Sequence, residues 1–189
     1  TSASHEQLYD LDTISSMDVL QYHLYSNNLL EKQNEYDTQF RKNLAASVIN
    51  GEHGTPNGAD TPFETQRNSI WNSIMNQVPH FMWIWDHYME TQWSNLFRMP
   101  ANYIEGENFA GRKNLQHWHP EASFGDNKLK ANGLCQDSVY YGYIYDPGEA
   151  TEIKNASVKL PEAPIANYAV TYYFPQTGEI ITKDSIALL

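Results

Sequence analysis

A chain of 189 residues with a single cysteine, Cys135, and a formal net charge of −11 at pH 7 excludes several classes at once. It can close no internal disulfide and build no zinc site with two Cys ligands. A field of that sign repels phosphate backbones and anionic bilayers, so neither nucleic acid nor a membrane surface is an expected partner.

With 41% hydrophobic and 13% aromatic residues, the chain suits one folded domain over 1–189 that needs no metal or disulfide to hold its core. No run approaches the roughly 18 apolar residues of a membrane span, so membrane insertion is not expected. The opening TSASHEQ reads as a mature end left by signal removal, which points to a soluble periplasmic or extracellular protein.

In chain order, Tyr22, Tyr25, Leu29, Tyr36, Phe40, Leu44 and Val48 recur at three, four or seven residues and predict an amphipathic helical stretch. Ser26-Asn27-Asn28 can break it in two. Asn50-Gly51 is placed to close it, with a loop over GEHGTPNGAD. TPFE at 61–64 predicts a helix start, with Thr61 as N-cap, Pro62 first and Glu64 third. That helix runs to about Gln77 and buries Ile70, Trp71, Ile74 and Val78. After Pro79, HFMWIWDHYMETQWSNLF is apolar on nearly every side, which predicts a helix packed on several faces, stopped by Pro100.

From about residue 115 β-branched and aromatic residues dominate. SVYYGYIY and ASVKL read as strands, YAVTYYF and EIITKDSIAL as a hairpin around PQTG, and Asn132-Gly133 and Asp146-Pro147-Gly148 as turns. The predicted class is α+β, N-terminal helices packed on a C-terminal antiparallel sheet, with 1–100 mainly helical and 115–189 mainly strand.

Three constellations could carry chemistry. In HWHPE, extended backbone turns His117 and His119 to one face, where two imidazoles can share one Zn, Fe or Cu ion. Glu121 joins them, as third ligand or general base, only if the chain turns back at Pro120. On the tryptophan-rich segment, Asp86, His87 and Glu90 stand at helical spacing, His87 as a ligand and the carboxyls as acid or base. Alternating tyrosines place Tyr141 and Tyr143, with Trp118, as stacking groups for a flat ligand.

Three functions follow: a small-molecule-binding protein with an aromatic-lined pocket; a metal-assisted hydrolase, lyase or oxygenase; or an accessory subunit against a protein partner or a second copy of itself.

Overall fold

The computed structural model describes residues 2–3, 17–44, 46–55, 62–80, 91–124, 127–146, 156–160 and 163–187. The chain divides into two compact units, Thr1–Tyr88 and Met89–Leu189. The class is α+β, with three helices and mostly antiparallel strand pairing among the described residues. No described helix is long and apolar enough to cross a membrane.

The first unit holds β1 (Ser2–Ala3), β2 (Val19–Tyr25), α1 (Leu29–Asn43), β3 (Ser47–Gly54) and α2 (Phe63–Asn76). The helix expected to span 22–48 is instead strand, helix, strand. In VLQYHLY the buried positions are Leu20, Tyr22 and Leu24, a period of two that overrides the three-and-four spacing of Tyr22, Tyr25 and Leu29. The break does fall at Ser26-Asn27-Asn28: the Ser26 hydroxyl accepts the Asn28 N–H at 3.1 Å and α1 begins at Leu29. Asn50-Gly51 ends no helix; both lie inside β3.

The helix predicted from TPFE starts one residue late, at Phe63. Pro62 is extended (φ −52°, ψ 141°), and its carbonyl accepts the first helical bond, from Gln66 N–H at 3.0 Å. Thr61 lies outside the described residues. At the far end Gln77 adopts the left-handed conformation (φ 58°), and its N–H and that of Val78 return to Ile74 and Ser73, closing the orphan carbonyls where the sequence placed the stop. Ile70, Trp71 and Val78 are buried; Ile74 is half-buried.

Strands β1, β2 and β3 run parallel in that spatial order. A further parallel bridge joins Asn50 to His80. Spatial order therefore repeats chain order, with α1 and α2 as the crossovers. Leu20, Tyr22, Leu24, Leu29, Phe40, Val48 and Val78 form the core, where the Tyr22 and Phe40 rings meet edge-to-face at 4.9 Å.

The second unit opens with α3 (Thr91–Gly106) and one 3-10 turn, Phe109–Gly111. Residues 81–90, the start of the tryptophan-rich segment, lie outside the described residues. Pro100 was expected to stop this helix, yet α3 continues through it to Gly106. A proline ring lacks only its own N–H, so one carbonyl, that of Leu96, loses its partner while the turns beyond remain bonded.

There follow β4 (Gln116–Trp118), β5 (Glu121–Phe124), β6 (Asn127–Gln136), β7 (Val139–Tyr145), β8 (Ser157–Lys159), β9 (Asn167–Tyr173) and β10 (Ile180–Ala187). β6 pairs antiparallel with β7 on one side and with β4 and β5 in succession on the other; β5 also pairs β8. The hairpin expected around PQTG is formed by β9 and β10. Gly178 takes φ +75° in its turn, a region glycine enters without steric cost.

Asn132-Gly133 is not a turn but the middle of β6. Gly133 faces Trp118 on one neighbour and Gly142 on the other. A Cβ there would stand 2.6 Å from the indole and 2.5 Å from the Tyr141 carbonyl oxygen. The glycine is spent on close approach of a ring, not on a bend.

Candidate active site

The register of β2 against β3 slips by one residue: Tyr22 faces Asn50, but His23 faces Glu52. Gly51 is the extra residue. Bulges of this kind re-aim side chains, and they are rare between parallel strands. With unbroken register Glu52 would face Leu24 and point inward, and His53 would point outward. The bulge exchanges them. Glu52 emerges beside His23, and His53 turns in beside Leu24, fully buried. Gly51 also leaves room for its neighbour, because a Cβ at this position would collide with the Gln21 side chain.

On the outer face Gln21, His23, Tyr25 and Glu52 form one connected set at the C-terminal ends of the two strands. The Gln21 amide donates to His23 Nε2 at 2.9 Å. That fixes the imidazole proton on Nδ1, which meets Glu52 Oε2 at 3.2 Å. The Tyr25 hydroxyl donates to the same oxygen in a short bond. Burial, and then the bond to Glu52, push the Tyr25 phenol up to about 12, so it stays a donor. Glu52 Oε1 takes no hydrogen bond among the described residues. The pair is reachable from solvent, with 22% of the His23 side chain and 27% of the Glu52 side chain exposed.

The inner face carries a second set, polar and buried. Asn50 Nδ2 donates to His53 Nδ1 at 2.9 Å. The His53 proton therefore sits on Nε2 and goes to Ser69 Oγ in a short bond. Ser69 donates to Gln33 Oε1 at 2.9 Å, and Gln33 Nε2 donates to the Ser69 carbonyl at 3.1 Å. Asn, His and Ser thus stand in the order of a nucleophilic triad, but the protons run the wrong way. His53 donates to Ser69 and cannot deprotonate it. Ser69 is also wholly buried, so this set ties α1, α2 and β3 together.

Beside it the Tyr22 hydroxyl donates to Asp37 Oδ1 at 2.6 Å and Asn76 Nδ2 to Oδ2 at 3.2 Å. Burial raises the Asp37 carboxyl to about 7 against the opposing pull of those bonds and of Arg41. His53 stacks on His80 with ring centroids 5.0 Å apart. Burial lowers both imidazoles, His80 to about 4.

In the second unit the imidazoles of His117 and His119 do converge. His117 Nδ1 and His119 Nε2 are 3.2 Å apart, and Trp118 between them is buried on the other face. Glu121 does not turn back. Trp118 faces Gly133 and Ala122 faces Leu129, so four residues on each strand match across Pro120 and the chain runs straight on. That leaves Glu121 about 13 Å along the strand from His117. Its carboxylate lies 3.5 Å from Lys159 Nζ. No group of three His, Cys, Asp or Glu gathers into a metal cage among the described residues.

Tyr141 and Tyr143 are buried. Phe109 meets the Tyr141 ring edge-on at 4.8 Å, and the Arg112 guanidinium lies 5.2 Å from its centre. Directly opposed residues share a face, and alternate residues do not. The row Trp118, Gly133, Gly142 therefore lies on one face and the row His117, Leu134, Tyr141 on the other. Trp118 does not share a surface with Tyr141 and Tyr143. Asp86, His87 and Glu90 lie outside the described residues.

Sequence reading missed Gln21, His23, Tyr25 and Glu52 altogether. The available signal was the alternation in VLQYHLY, which sets Gln21, His23 and Tyr25 on one face once the stretch is a strand. Comparison with protein-family models, curated proteins and solved structures finds no match to the chain.

Proposed function

We propose that the first unit carries the reacting carboxylate of a glycoside-cleaving enzyme, and that this group is Glu52. The observation that carries the reading is the joint hold of His23 and Tyr25 on Glu52 Oε2 at the C-terminal ends of parallel strands. An all-parallel sheet whose spatial order repeats its chain order has the arrangement of a β/α-barrel wall. There catalytic side chains stand at the C-terminal ends of strands.

One oxygen of Glu52 is fixed by two donors on a side chain that solvent reaches, as a nucleophile or electrostatic stabiliser requires. Carboxylate nucleophiles serve chiefly acetal cleavage and phosphoryl transfer. The net charge of −11 disfavours phosphorylated substrates, which leaves glycosides. In this reading Glu52 attacks the anomeric carbon and the glycosidic C–O bond breaks. In retaining glycosidases a second carboxyl group, about 5–5.5 Å from the nucleophile, protonates the departing oxygen, and water then cleaves the glycosyl ester to release the sugar and free the nucleophile. Tyr25 and His23 hold the nucleophile's orientation and share its charge in the ground state.

A 2-deoxy-2-fluoro glycosyl fluoride panel, followed by peptide mass spectrometry of the intact protein, tests this. Covalent label on the peptide containing Glu52 is expected. Glu52→Gln should lose at least ~10⁴-fold in kcat on an aryl glycoside, and Tyr25→Phe about 10²-fold. Label on another carboxylate, or full activity in Glu52→Gln, would overturn it.

A further inference from the structure

We infer that His117 and His119 form a two-imidazole chelate for a divalent transition metal ion at the β4 edge of the second unit's sheet. A tetrahedral ion bound through nitrogens at 2.0–2.1 Å separates two of its ligands by about 3.3 Å. His117 Nδ1 and His119 Nε2 are hydrogen-bonded to each other at 3.2 Å, a separation close to that bite, and a bound ion would take the place of the shared proton. Their planes cross at 70° with centroids 4.5 Å apart.

The backbone holds this arrangement in place. Gln116, His117 and Trp118 are each in register with β6. The indole of Trp118 is buried over Gly133 and Gly142 on the far face, so His117 cannot rotate about the strand without extracting a tryptophan. Pro120 follows at once and keeps His119 extended. His119 is exposed and His117 half-buried, which gives an ion a path in from solvent.

The surroundings favour a cation in general, because the chain's field is strongly negative. The ligands select its kind. Imidazole nitrogen suits Cu(II), Ni(II) and Zn(II) and is a poor donor for Ca(II) or Mg(II). Two protein nitrogens leave the remaining coordination positions to water or to a donor from a bound molecule. This site is separate from the Glu52 cluster and stands or falls without it.

The test is titration of the chelator-stripped protein with copper(II) and zinc(II) sulfate by calorimetry, alongside His117→Gln and His119→Gln. One ion of each kind should depend on both residues, each single variant weakening it at least ~10-fold, or about 1.4 kcal/mol. Copper electron paramagnetic resonance supplies a second reading, with hyperfine coupling to two imidazole nitrogens in the native chain and one in either variant. Calcium should not compete. Unchanged affinity in both variants would overturn the assignment, as would native protein that takes up neither ion. Far-UV circular dichroism of each variant establishes that the fold persists. If a variant unfolds, the nitrogen count in native protein decides alone, two supporting the chelate and fewer overturning it.

Discussion

Gly51 decides what two of its neighbours can do. It is the extra residue between the Tyr22–Asn50 and His23–Glu52 pairs, and were it paired with His23 instead of bulged, Glu52 would face the core. Gly51→Ala tests the smaller half of that role. Its φ lies outside the left-handed region, so the backbone tolerates alanine, but the new Cβ must push Gln21 aside. Stability should change by less than about 1 kcal/mol. The His23 ring loses the donor that fixes its tautomer, and glycoside turnover should fall roughly tenfold, a difference of about 1.4 kcal/mol. Thermal melts and kcat/KM on the same preparation separate the two effects. A melting point far below native with normal kcat/KM in the folded fraction would mean that Gly51 serves the fold alone. Deleting Gly51 removes only the extra residue and leaves Asn50, Glu52 and His53 consecutive opposite Tyr22, His23 and Leu24, so circular dichroism should find the first unit still folded.

The elements obey the sequence where a single periodicity is present and depart from it where two compete. Residues 29–43 carry Leu29, Gln33, Asp37 and Phe40 on one buried face at helical spacing, and the helix forms there as read. Residues 19–25 satisfy both a helical and a strand period. Pairing with β3 and burial of Leu20, Tyr22 and Leu24 settle the choice, and neither is visible locally. β6 shows the same thing for a turn signal. Asn-Gly is the strongest short-range hairpin pair, yet here the glycine serves Trp118. Gly133→Ala should therefore lower stability by about 1–3 kcal/mol through overpacking, read as a fall in the urea midpoint. Gly142→Ala should do less, because its nearest foreign atom would be 3.6 Å away. Equal effects at the two positions would remove the ring-contact explanation for Gly133.

At the scale of the molecule, burial of ionisable groups sets the response to pH. Folded Asp37 holds its proton to about 7, whereas an unfolded aspartate releases it near 4. Its contribution to stability is full below about 4 and is lost as pH rises towards 7. His80 works in the opposite sense. It stays neutral down to about 4 when folded, and an unfolded histidine protonates near 6.5. Stability from keeping it neutral is full above 6.5 and is lost as pH falls to 4. His53 shifts in the same direction as His80. Between pH 4 and 7 the two slopes oppose each other. Asp37→Asn removes the falling contribution, so its urea midpoint should climb more steeply with pH over this window than the native one does. Parallel curves would mean that Asp37 titrates alike in both states.

The sequence by itself determined the α+β class, the span of α2 to Gln77, the β9–β10 hairpin and the convergence of His117 with His119. Each of these follows from a local period, a turn residue or the two-residue alternation of extended backbone. Only the tertiary structure decided that Gly51 is a bulge, that Glu52 meets His23 and Tyr25, and that Gln33, Asp37, His53 and Ser69 bury their polar groups against one another. Those outcomes depend on which strand lies beside which and in what register, and a one-residue slip there reverses every side chain beyond it.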